Sequence, residues 1–110
     1  MFSSEKPIYL QMADRLCDDI LAGTYCDDAR IPSVREYATL LQVNTNTAVK
    51  AYEELSRNEI IYQRRGMGYF VCSGARNAIL QQRREQFFSR TLPELRKTMD
   101  LLGITFEEIM

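Results

Sequence analysis

Four polar residues in succession, Asn44, Thr45, Asn46 and Thr47, open a segment with an apolar stripe, and Lys50 follows one helical turn after Asn46. A side-chain amide donates and accepts at once, a hydroxyl does the same, and an ammonium supplies a point charge. Such a set is suited to recognising a polar surface. An Asn amide matches the N6 and N7 edge of adenine, and a Thr can bond a base or set its methyl against that of thymine. A helix cap needs only one such residue, so Asn44 or Thr45 serves as the cap and Asn46 is left free beside Thr47 and Lys50. Arg35 upstream, and Arg64 and Arg65 beside Gly66 and Gly68 downstream, add guanidiniums suited to phosphate oxygens or a guanine edge. The two glycines let the backbone approach a partner closely.

The same inventory excludes most catalysis. The chain has no His, which removes both the usual general base and the usual metal ligand. Cys17, Cys26 and Cys72 lack C-x-x-C spacing, so neither a disulfide framework nor a zinc site is expected, and they read as buried thiols. The adjacent carboxylates Asp18 and Asp19, Asp27 and Asp28, and Glu53 and Glu54 lack the alternating spacing of a calcium loop and read as solvated faces. R-R-G-M-G at 64–68 is not a nucleotide-binding phosphate loop, because the pattern differs and a strand follows it. The reading is a protein that is not an enzyme, with no cofactor and no metal.

The elements that must position these residues are legible from periodicity. Pro7 and the stripe Ile8, Met12, Leu16, Ile20 give a first helix over 8–22 that stops at Gly23. G-T-Y-C-D-D-A-R-I-P reads as a loop, closed by Pro32. S-V-R-E at 33–36 fits a capping box and starts a second helix, to about Leu41. A third helix begins with the polar run and reaches about Asn58, with Ala48, Ala51, Tyr52 and Leu55 on one stripe. Strands are expected at 60–63 and 69–72, joined by the glycine-containing R-R-G-M-G. Helix, helix, turn, helix, hairpin is the winged helix-turn-helix order, in which the third helix enters a major groove and the hairpin leans on the adjacent backbone.

Beyond this domain, Ser73 is expected to cap a helix over about 75–90, Pro93 to start another, and T-F-E-E at 105–108 to form a second capping box. Leu92, Leu95, Met99 and Leu102 lie at helical spacing, and so few helical turns cannot bury that stripe among themselves. The fold class is thus mainly α with a small β-hairpin: a winged helix-turn-helix domain, 1–74, followed by a short helical dimerisation tail, 75–110. No run approaches the roughly 18 apolar residues of a membrane span, and the N-terminus lacks the pattern of a signal peptide, so the expected compartment is the cytoplasm, away from membrane.

Net charge is −1 and the pI near 5.5, which by itself argues against an electrostatic nucleic-acid binder. The distribution matters more. Residues 1–30 carry three basic and six acidic groups, 31–75 carry five and four, and 76–110 carry six and five.

The chain carries P-I-Y-x-Q at 7–11, a Gly23 loop, I-P-S-x-R at 31–35, V-N-x-N-T at 43–47, A-Y-x-x-L at 51–55 and G-x-G-Y-F-V at 66–71. On these motifs, residues 7–71 resemble the DNA-binding domain of GntR-type bacterial transcriptional regulators. V-N-x-N-T-x-x-K-A-Y with a short helical tail resembles the YtrA-type subfamily. It implies a dimeric repressor in which Arg35 and Asn44 to Thr47 contact double-stranded operator DNA, assisted by the wing around Arg65, Gly66 and Gly68; Ser33, Lys50 and Arg64 join the expected DNA-binding set by their positions beside these residues. It also implies self-association through the tail, on Phe87, Leu92, Leu95, Met99 and Leu102. Against the family pattern, Asp28 and Gln42 replace glycines, and Thr45 and Val49 stand where basic side chains are common. This predicts recognition by amides and hydroxyls more than by charge. A tail of this length is too short for a separate ligand domain, so a small-molecule effector would need a pocket at the dimer seam. The competing reading is a winged-helix protein-interaction module that touches no DNA.

Overall fold

The computed structural model describes Phe2 and residues 5–110, which form two compact units, the first ending at Ile79 and the second Leu80–Met110. In the first unit, α1 spans Ile8–Leu21 and buries Met12, Ala13, Leu16 and Ile20. α2 spans Val34–Leu41, and its entrance is the expected capping box: Ser33 Oγ accepts the Glu36 N–H at 3.1 Å while Glu36 Oε1 accepts the Ser33 N–H at 2.9 Å. Gln42 ends it in the left-handed region, φ 56° and ψ 48°, where the missing glycine would have been at ease. α3 spans Thr45–Arg57. Its inward stripe includes Ala48 and Ala51, both fully buried, and residues this small let α3 pack closely against α1 and α2.

β1, Ile61–Arg64, and β2, Gly68–Val71, form the antiparallel hairpin, with Tyr62 opposite Phe70 and Arg64 opposite Gly68. The expected strands, 60–63 and 69–72, are each displaced by one residue toward the tip. The cause is a tight turn: Gly66 at φ 76° lets the Met67 N–H reach the Arg64 carbonyl at 2.9 Å. The loop before Pro32 is not free loop either. Asp28 and Ile31 donate to Val71 and Tyr69 at 2.8 and 3.0 Å, Val71 donates to Ala29 at 2.9 Å, and Arg30 faces Phe70 across an antiparallel bridge. Residues 28–31 therefore act as a third edge of the wing. Asp28 adopts φ 63°, as its short polar side chain allows.

Two carboxylates expected to be solvated serve instead as acceptors: Asp27 Oδ2 takes the Gly74 N–H at 2.9 Å, and Asp28 Oδ1 takes the Tyr62 hydroxyl at 3.1 Å. Entry to α4, Ala75–Gln86, is thus fixed by Asp27, and Arg76 Nε donates to the Leu21 carbonyl at 3.1 Å. The thiols are less buried than expected: Cys26 is exposed, and Cys17 and Cys72 are half-buried.

In the second unit the end of α4 is followed directly by a π-helical turn, Phe87–Thr91, and by α5, Leu92–Leu102. The expected helix over 75–90 thus ends early, and Pro93 lies just inside α5. Proline has no N–H and collides with the carbonyl four residues back; the widened turn, in which the Leu92 N–H bonds to the Phe87 carbonyl, accommodates it. Gly103, at φ 67°, ends α5, with the Ile104 N–H on the Met99 carbonyl at 2.9 Å. Thr105 and Glu108 make the expected capping box of α6, Phe106–Ile109.

Candidate nucleic-acid interface

The start of α3 divides its polar residues by role. Asn44 is the cap, its Oδ1 accepting the Asn46 N–H at 2.8 Å. With that donor satisfied, the exposed side chains of Thr45, Asn46 and Lys50 point outward, and Thr47 is half-buried. The helix N-terminus contributes a partial positive charge at the same place. Arg35 is exposed on the first turn of α2, while Ser33 has its hydroxyl engaged in the capping box. The capping partner Glu36 is held below the usual carboxylate range, first by the Ser33 N–H, then by the Ser33 hydroxyl, with a further lowering from the charge of Arg30.

α3 is held to the rest of the first unit by tyrosines: Tyr52, which the sequence places on the inward stripe of this helix, and Tyr37 and Tyr69, to which it assigns no role. Tyr52 is buried on α3, and its hydroxyl donates to the Pro32 carbonyl at 2.5 Å. Its ring meets Tyr69 of β2 edge-on at 5.0 Å and Tyr37 of α2 at 5.9 Å. Tyr37 in turn donates to the Met12 carbonyl of α1 at 3.2 Å. One side chain therefore ties α3 to α2, to the wing and to the segment before α2. Burial pushes both phenols far above their ordinary range.

At the wing, Arg65 and Gly66 are exposed at the tip. Arg64 lies over the Phe70 ring at 5.4 Å, and Phe70 stacks on Tyr62 at 5.7 Å. Gly68, at φ 113°, is crossed by the side chain of Arg30: a Cβ there would stand 3.1 Å from Arg30 Nε. The sequence reading passed over Arg30. Its signal was the alternation Asp28, Ala29, Arg30, Ile31, obscured by the turn-forming residues around it.

In the tail, Phe87, Leu95 and Leu102 are exposed, Leu92 is half-covered, and Met99 is buried, with only 6 % of its surface accessible in the single chain. Among the described residues, no helix is long and apolar enough to cross a membrane and no group of His, Cys, Asp or Glu could hold a metal.

A three-helix core with a capped, outward-facing α3 and a basic-tipped hairpin defines a winged helix-turn-helix regulator. Residues 8–71 match the family model "Bacterial regulatory proteins, gntR family", and the chain belongs to that family. It is 36% identical over 109 residues, 99% of this chain and 88% of the other, to the HTH-type transcriptional regulator YhcF of Bacillus subtilis (strain 168). It is 37% identical over 78 residues to the HTH-type transcriptional repressor YtrA of the same organism, covering 71% of this chain and 60% of that one. Among solved structures, a GntR family transcriptional regulator from Listeria monocytogenes superposes with a TM-score of 0.74 at 35% identity, over 98% of this chain and 93% of that one. The DNA-binding domain of AraR in complex with operator ORX1 gives 0.61 at 26% identity, over 66% and 93%. The chain is a DNA-binding transcriptional regulator of this family.

Proposed function

We propose that this regulator is a homodimeric repressor that binds an inverted-repeat operator in the cytoplasm, with one α3 in each of two successive major grooves and the wing beside each. The observation that carries the proposal is the division of labour at the start of α3. Asn44 satisfies the helix, so the amide of Asn46 has no structural duty and is available to a base edge. Thr45, Thr47 and Lys50 flank it, and Arg35 and Arg65 supply phosphate contacts that set register. The operator complex of the AraR domain supports operator DNA as the ligand, and the repressor YtrA supports the sign of regulation. The exposed apolar side chains Phe87, Leu95 and Leu102 support self-association through the tail, with half-covered Leu92 beside them.

Selection of protein-bound sequences from a random duplex pool tests the proposal. The expected product is a palindrome whose half-sites lie about one helical turn apart or somewhat more. Transcription in vitro from a promoter carrying that site should fall as protein is added. An enriched sequence without two-fold symmetry would remove the dimeric mode, and undiminished transcription would remove repression.

A further inference from the structure

We infer that Arg30 forms a phosphate-binding site on the outer face of the wing, together with the backbone of Gly68, and that it is a DNA contact of this regulator in addition to Arg64 and Arg65. The alternation of residues 28–31 sets Ala29 and Ile31 toward the core and turns Asp28 and Arg30 outward, where Arg30 pairs directly with Phe70. Because Phe70 pairs with Tyr62 and Arg64 pairs with Gly68, the side chains of Arg30, Phe70, Tyr62 and Arg64 share one face of the wing. On that face the Arg30 guanidinium runs over Gly68, toward the tip that carries Arg65 and Gly66. A Cβ on residue 68 would meet its Nε at 3.1 Å and its terminal nitrogen at 3.6 Å, so glycine is what lets the side chain cross.

The carboxylates nearby are already engaged. Asp28 accepts from Tyr62, and Glu36 accepts from the Ser33 N–H and feels the charge of Arg30 without forming an ion pair with it. Arg30 makes no ion pair among the described residues and is exposed. A guanidinium held along a β-edge with its donors unused and its direction fixed by a glycine is suited to a phosphate oxygen. The class of ligand is the duplex backbone, contacted without regard to sequence.

The test uses the full chain and a random-sequence duplex of about 24 base pairs, with binding followed by fluorescence anisotropy across a series of salt concentrations. Loss of one phosphate contact reduces the slope of log affinity against log salt by about 0.9 for each protomer bound. For Arg30→Gln, the ratio of affinities at 50 and 200 mM salt should therefore shrink about 3.5-fold per protomer relative to the unmodified chain. Arg30→Lys should keep the original slope. An Arg30→Gln chain that keeps the original slope, whatever its melting temperature, would overturn the assignment. An unmodified chain that shows no salt-dependent binding would overturn the DNA reading and the Arg30 site with it.

Discussion

At the scale of the residue, two asparagines two positions apart have separate physical fates. Asn44 completes α3 by accepting the Asn46 N–H, so Asn44→Ala should lower stability by about 1 kcal/mol through the lost cap. Chemical denaturation would register it as a shift of the midpoint. Asn46 has an exposed side chain, so Asn46→Ala should leave the midpoint where it is. It should instead cost about 1–3 kcal/mol on the selected operator, with little loss on random duplex. Equal losses on both DNAs would mean that Asn46 does not read bases. Arg65 is the opposite case. An exposed tip guanidinium grips phosphate, so Arg65→Ala should weaken both DNAs together and flatten the salt dependence.

At the scale of the element, what matters is how α3 is aimed, and Tyr52 does that from the buried side. Its hydroxyl is the link to the Pro32 carbonyl, so Tyr52→Phe should cost about 1 kcal/mol while the ring keeps its packing on Tyr37 and Tyr69. The same tyrosines set an alkaline limit. Their phenols titrate higher in the folded chain than the ordinary 10.0, so the unfolded chain loses protons first as pH rises. Stability is whole below about pH 10 and falls above it, and melting temperatures taken from pH 8 to 11 should bend downward there. A flat profile would show that the phenols ionise alike in both states. The helices were legible in the sequence because their ends carry local chemistry: Ser33 with Glu36 and Thr105 with Glu108 are capping boxes at fixed spacing. The third edge of the wing was hidden, since pairing of residues 28–31 with β2 is a contact across some 40 positions, and Asp27, Asp28 and Pro32 signal a turn. Pro93 stands in the first turn of α5 as its type predicts, but that the segment before it runs on as a π-turn was not legible, because a widened turn has no local residue signature. Base-reading candidates were visible by residue type, whereas Arg30 emerged only once β2 lay beside it.

At the scale of the whole molecule, a net charge of −1 gives little long-range attraction for DNA, so tight binding must come from locally placed cations and from the joining of two half-site contacts. Joining two sites raises affinity over one by roughly 10²–10⁴ without any new contact. In the proposed dimer, that gain depends on the tail. Leu95 and Leu102 are 43 % and 67 % exposed in the single chain, so the double change Leu95→Asp and Leu102→Asp takes no fully buried side chain from the monomer but places charges in any interface built there. Sedimentation velocity should then report a monomer with the helical content of the parent. Affinity for a duplex with two half-sites should drop to about that for one half-site. Met99 separates this effect from simple unfolding. It is already buried within its own chain, so Met99→Ala should cost about 2–5 kcal/mol of local stability, seen as a lowered denaturation midpoint even at concentrations where the protein is monomeric. A doubly substituted chain that still sediments as the parent does would exclude the Leu95 and Leu102 face from the interface.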